Sequence, residues 1–294
     1  MPRNIGGEIN FYPGVVDLNM ARDTIIQNEK SKWVRRLVSK AIKNLLIRVA
    51  NEWNPAELTK LKVILIAYLE LALKHEEQVK AHDSVPPPKK AVPEPPPLSS
   101  IEAAELLMDV WEVEVQEKKV NLREGLRLLK EGGKDRVYIS DYYGHKKQLF
   151  DVIEQSLRKR GFVLLSLTAH SVQFKSGKNE YFSERHALDY LAKRYYFKVY
   201  DVETPFSADI EDLTISKDML SSSVRKVIDE IETSTGSPVR LSRLKDAPVV
   251  FELAGDNYLN VGSDLFNKAL NMFDAYDRSV MKSYILGLLQ YEIR

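Results

Sequence analysis

The sequence predicts an α+β protein: a long N-terminal αα-hairpin, a Pro-rich linker, and an α/β body that ends in a helix-hairpin-helix extension. Three observations carry this. Apolar residues recur at helical spacing through 23–81. Seven of the sixteen positions in 85–100 are proline, out of thirteen in the chain. From 101 onward, short β-type runs alternate with amphipathic stretches. At 294 residues and 44% hydrophobic content, the chain can support more than one core. The blocks are 1–84, 85–100, 101–202 and 203–294, the last a second small domain or an extension of the third.

The opening residues carry Gly6-Gly7 and Pro13-Gly14 and show no periodicity, as a loop or tail does. They lack an apolar signal segment, and no apolar run approaches the roughly 20 residues of a membrane span, so an intracellular location is expected. The first helix is expected over 23–53. On a helical projection Val34, Val38, Ala41 and Leu45 share one face, and Lys32, Arg36, Lys40 and Lys43 the opposite one. Trp33 and Trp53 bracket it as expected core anchors. Asn54-Pro55-Ala56-Glu57 restarts a helix, with Asn as N-cap, Pro at the first position and Glu at the third. Its stretch 58–73 is apolar nearly all round, which two helices alone cannot bury. Ile64, Leu65, Tyr68 and Leu69 are therefore expected to pack on the body, a partner protein or a second copy in a homo-oligomer.

Proline fixes φ and removes a donor, so 85–100 reads as an extended spacer. Ser99 to Glu102 opens an acidic helix expected to reach about 117, and Asn121 opens another ended by Gly132-Gly133. Next come a strand at 136–139, a helix over 143–160, strands at 162–168 and 171–175 with a turn at 176–179 and a short return at 180–182, a helix from Ser183 to about 194, and a strand at 196–202. This β-α-β-β-α-β order matches the split βαβ of ferredoxin-like domains. A winged helix, with 144–160 as recognition helix and 162–175 as wing, is the competing reading. The last block reads as a helix at 216–233, strands at 239–244 and 248–253, a turn at Gly255-Asp256-Asn257 into 258–261, and helices at 263–275 and 277–293.

Zero cysteines exclude disulfides, thiolate metal sites and a cysteine nucleophile. No phosphate-binding loop, dinucleotide fingerprint or nucleophile elbow occurs, so no cofactor is expected. His75-Glu76-Glu77 lacks the second histidine of a metalloprotease helix, the position being Val79. Asp201, Glu203, Asp209, Glu211 and Asp212 could hold Mg²⁺ in a nuclease-like site, but their spacing matches no metal-site motif and a solvated acidic loop is the favoured reading.

The 43 basic and 42 acidic side chains nearly cancel but are segregated. Residues 30–48 hold Lys30, Lys32, Arg35, Arg36, Lys40, Lys43 and Arg48 and no acid. Residues 101–117 hold six acids and no base, 118–198 eighteen bases against nine acids, and 201–294 ten against sixteen. Eight of the fourteen tyrosines fall in 138–200, interleaved with Lys146, Lys147, Arg158, Lys159, Arg160, Lys175, Lys178, Lys193 and Arg194. Cations beside aromatic faces suit a nucleic acid, DNA or RNA: charge follows the backbone and rings such as Tyr195 and Tyr196 stack unpaired bases. The leading expectation is thus a non-enzymatic assembly protein binding nucleic acid electrostatically. A scaffold or virion component with only protein contacts is the alternative, and a metal-dependent nuclease the third.

Overall fold

The computed structural model describes residues 29–52, 55–83, 95–140, 146–167, 184–236, 238–273, 283, 284 and 287. The segment 1–20, most of the proline-rich stretch, the second strand and turn expected at 171–182, and most of the helix expected at 277–293 lie outside them. The chain forms two compact units. The first comprises Met1–Val113, Val120–Arg127 and Leu167–Tyr196, and the second Glu114–Lys119, Leu128–Ser166 and Phe197–Arg294. The first unit thus draws residues from both sides of the proline-rich stretch.

Helices dominate the first unit: α1 (Glu29–Glu52), α2 (Pro55–Asp83), α3 (Ser100–Val110) and α6 (Glu184–Tyr195). The all-round apolar α2 packs mainly on α3, and also on α1 and α6. Leu65, Ala67, Tyr68, Leu69 and Ala72 are buried there. Lys62 on α2 is buried against Glu184 of α6 at 2.9 Å, with its ammonium 5.4 Å from the Trp111 ring centroid. A buried charge pair of this kind positions two helices more than it stabilises them. The proline-rich stretch ends in contact with the core: Pro96 and Pro97 are half-buried and Leu98 is fully buried. Ser99 then caps α3, its hydroxyl accepting from the Glu102 N–H while the Glu102 carboxylate accepts from the Ser99 N–H.

The acidic helix ends at Val110, seven residues before the expected position. Residues 112–121 instead form a hairpin of β1 (Glu112–Val115) and β2 (Lys118–Asn121). Its turn residues Gln116 and Glu117 both have positive φ, 50° and 64°, which asparagine and glycine would announce but these do not. Asn121 caps α4 (Leu122–Glu131), its carbonyl oxygen accepting from the Glu124 N–H at 2.8 Å.

A five-stranded sheet has the order β2-β1-β4-β3-β5, with β3 (Arg136–Ile139), β4 (Val163–Leu165) and β5 (Lys198–Asp201). The three run parallel, Val137 standing opposite both Val163 and Val199, and β1 pairs antiparallel with β4. Helix α5 (Lys147–Lys159) connects β3 to β4, which are immediate neighbours. A split βαβ would place another strand between them, so the described strands correct the ferredoxin-like expectation to a direct parallel β-α-β unit. Burial on both faces explains why the run Phe162 to Leu165 is continuously apolar.

Further along the second unit, α7 (Ser222–Thr235) packs on a three-stranded sheet of order β6-β8-β7, formed by β6 (Arg240–Ser242), β7 (Val250–Leu253) and β8 (Asp256–Asn260), followed by α8 (Asp264–Phe273). Ile228, Ile231, Leu241, Val250, Leu259 and Phe266 form its core. The fully buried Asn260 amide donates to the carbonyls of Leu244 and Ala247 at 2.8 and 3.1 Å, holding the loop between β6 and β7.

Candidate functional site

Helix α1 buries one stripe and exposes another. The buried stripe runs through Val34, Ile42, Leu46 and Ala50, with Val38 half-buried. This is rotated from the projected face, because Ala41 and Leu45 are exposed. The outer stripe runs Trp33, Leu37, Lys40 or Ala41, Asn44, Arg48 at steps of three and four, flanked by Lys32 and Arg36. Trp33 is 54% exposed and not a core anchor. Its place beside Lys32, one turn from Arg36 and two from Lys40, is the signal that sequence reading passed over. Trp53 lies outside the described residues.

Part of this charge is answered locally. Lys32 pairs with Glu29 at 2.6 Å, and that hydrogen bond, with Arg36 adding to it, holds the Glu29 carboxyl below the ordinary range. Lys43 is turned toward α3 and pairs with Glu102. The Glu102 carboxyl is lowered first by Lys43 and then by the Ser99 N–H. Arg35 is exposed with Arg36 and Lys40.

At the end of α6, Lys193, Arg194, Tyr195 and Tyr196 take different roles. The half-buried Tyr195 donates its hydroxyl to Glu105 at 2.6 Å, and its own ionisation is pushed up to about 12 by burial and by that carboxylate. Glu105 also accepts from Arg123 at 2.7 Å, and both donors lower its pKa, Tyr195 first. The Arg194 guanidinium lies 5.9 Å from the Tyr195 ring centroid. Lys193 and Arg194 are exposed, and Tyr196 is 85% exposed.

The remaining candidate cations among the described residues belong to the second unit. Arg158 pairs with Glu114 at 3.0 Å and Glu154 at 2.9 Å, Lys146 with Glu252 at 3.6 Å, and Arg160 donates to the Ala208 carbonyl at 2.9 Å. Lys147 and Lys159 are exposed. Lys147 and Arg158 line a shallow groove of about 610 Å³ with Asp151, Gln155 and Asp246, so its charge is mixed. Lys175 and Lys178 lie outside the described residues. Of the expected interface residues, Leu65, Tyr68 and Leu69 are at most 1% exposed under the chain's own helices, and Ile64 is half-buried.

The acids at 201–212 do not face one another as a set. Asp209 is 2% exposed and accepts from Arg136 through both Nε and Nη2, the latter at 2.6 Å, and from the Tyr138 hydroxyl at 2.6 Å. Among the described residues no three histidine, aspartate or glutamate side chains converge in a geometry that could hold a metal ion. No described helix is long and apolar enough to cross a membrane. No protein-family model matches the sequence, and no curated protein is significantly similar to it.

Proposed function

We propose that this protein binds nucleic acid electrostatically, as a non-enzymatic assembly factor, through the outer stripe of α1 and the end of α6. The observation that carries this reading is Trp33, exposed on the same helix face as Lys40 and beside Arg36, in a stretch from 30 to 48 with no acidic residue. An indole amid cations matches a polyanion that also presents flat rings. The exposed Lys193 and Arg194 in the same unit supply further phosphate contacts.

Gel-shift titration with single- and double-stranded oligonucleotides at two salt concentrations tests it. Four phosphate contacts give a slope of log affinity on log salt of about −3 to −4. Reversing Arg36 and Lys40 together to glutamate weakens binding alike for all sequences and makes the slope shallower by about 1.5–2, because phosphates carry no sequence information. Absence of binding at low salt overturns the reading.

A second reading has its own support. Trp33, Leu37 and Leu45 together leave an apolar strip on α1 that a protein partner would cover. Under it, Leu37→Glu changes the mass measured by light scattering while any oligonucleotide affinity is unaltered.

A further inference from the structure

We infer that Tyr196 is the base-stacking residue of the site, and that it gives the protein a preference for single-stranded over duplex nucleic acid. The inference rests on the nucleic-acid reading above and is carried by a different observation, the backbone at the end of α6. Tyr196 occupies the left-handed region with φ of 59°. Helices commonly end this way, but the residue there is ordinarily glycine, since a side chain in this region is strained.

This chain follows that rule elsewhere. Past α4 and α7 stand Gly133 and Gly236, with φ of 69° and 68°. A Cβ at either would meet nothing within 4 Å, so the backbone angle, not space, selects glycine at both. At the same kind of position after α6 the chain carries a tyrosine, and its ring, 85% exposed, is the most exposed large apolar side chain among the described residues. Five other non-glycine residues take positive φ, among them the exposed Gln116 and Glu117 of the β1–β2 turn, so the angle by itself does not single Tyr196 out; its combination with a large ring standing in the open does.

Its neighbours indicate what the ring meets. Lys193 and Arg194 are exposed on the last turn of α6, an anion-seeking pair beside a ring whose face is open. Tyr195, by contrast, is turned inward with its hydroxyl on Glu105. Tyr195 therefore positions the helix end, and Tyr196 alone of the two presents a face. Only unpaired bases offer a face for it to stack on, whereas the cations serve single strands and duplexes alike.

The experiment compares wild type, Tyr196→Phe and Tyr196→Gly in the full chain, by thermal melting and by fluorescence anisotropy with a labelled single strand and the matching duplex. Tyr196→Gly is expected to weaken single-strand binding about 5- to 150-fold, the loss of one stacked base. Duplex affinity should stay within about twofold. The same variant should melt higher by about 2–4 °C as the backbone strain is released. Tyr196→Phe should keep both affinities. Wild-type binding of single strands that Tyr196→Gly leaves unchanged, or weakens equally for duplex, overturns the inference and leaves the electrostatic reading standing. A lower melting temperature for Tyr196→Gly overturns it too, since the ring would then be packing. No binding by wild type overturns both. Self-association lost in Tyr196→Gly, with oligonucleotide binding intact, assigns the ring to a second copy and overturns the inference alone.

Discussion

Asp209→Asn should destabilise the second unit by about 2–4 kcal/mol. Asp209 sits in the turn after β5, 2% exposed, and is the shared acceptor for the Arg136 fork and the Tyr138 hydroxyl on β3. Tyr138 in turn accepts from the Phe206 N–H at 3.3 Å, and Arg136 lies 4.5 Å over the Phe206 ring. The Tyr138 ring itself is wedged between Phe162 and Tyr200, with centroids 5.6 and 5.9 Å away. Asparagine fills the same volume but removes the buried charge, leaving Arg136 only the exposed Asp135 carboxylate at 3.4 Å. Breaking a fully buried pair costs about 3–5 kcal/mol. Arg136 keeps 22% of its side-chain exposure, which lets water recover part of that. Tyr138→Phe removes one charge-assisted hydrogen bond and should cost about 1.5–3 kcal/mol. In the double variant the costs should fall short of additivity by about 1 kcal/mol or more, because both residues share one acceptor. Urea denaturation by far-ultraviolet circular dichroism gives the energies, and hydrogen exchange along 203–212 shows whether the turn is released. A cost below about 1 kcal/mol for Asp209→Asn, with additive behaviour, would refute the shared-acceptor account.

Three further outcomes follow from the same geometry. Glu102 and Glu105 ionise below the ordinary carboxylate value of 4.5, so the stability they lend is present above that pH and drains away as pH falls through their lowered values. Glu105→Gln should flatten the acid limb of an unfolding-midpoint-against-pH curve, and an unaltered limb would show that its partners Tyr195 and Arg123 contribute nothing. Leu65→Ala should cost about 2–5 kcal/mol with no change in mass by light scattering, since Leu65 is wholly buried under the chain's own helices. A mass change at unaltered stability would return Leu65 to an intermolecular interface. At Gly262 a Cβ would lie 2.7 Å from the Arg243 carbonyl carbon and oxygen, so Gly262→Ala should lower the unfolding midpoint by an amount corresponding to about 1–3 kcal/mol. A neutral result would mean that the β6 and β8 ends separate freely.

The sequence by itself determined most element boundaries, because caps and turns are short-range chemistry. Pro55 opens α2, Ser99 and Glu102 close a capping box on α3 and Asn121 caps α4; Gly255 does turn β7 into β8, but with Ala254, while Asp256 and Asn257, expected in the turn, stand in β8. Each satisfies backbone groups a few residues away, so the signal and its effect lie in the same window. The hairpin at 112–121 escaped that logic. Gln116 and Glu117 carry no turn propensity, and the alternation of Val113 and Val115 was too short to compete with an acidic helical pattern.

What only the tertiary structure decided was which residues face outward. The hydrophobic pattern of α1 is broad enough to admit two seams, and packing against α2 and α3 selected the one through Ile42 and Leu46, turning Trp33 and Leu37 to solvent. Tyr195 and Tyr196 are adjacent and chemically identical, yet Glu105, ninety positions away, holds the hydroxyl of the first while the second stands in the open. Lys43 and Arg158 looked like free cations in the sequence and were matched with Glu102 and Glu114 by the fold. Charge pairing and burial depend on contacts between segments distant in the chain, and no local pattern records them. The same distance explains why β3 and β4 came together as direct parallel neighbours: α5 returns the chain to the adjacent position, and strand order is set by that packing.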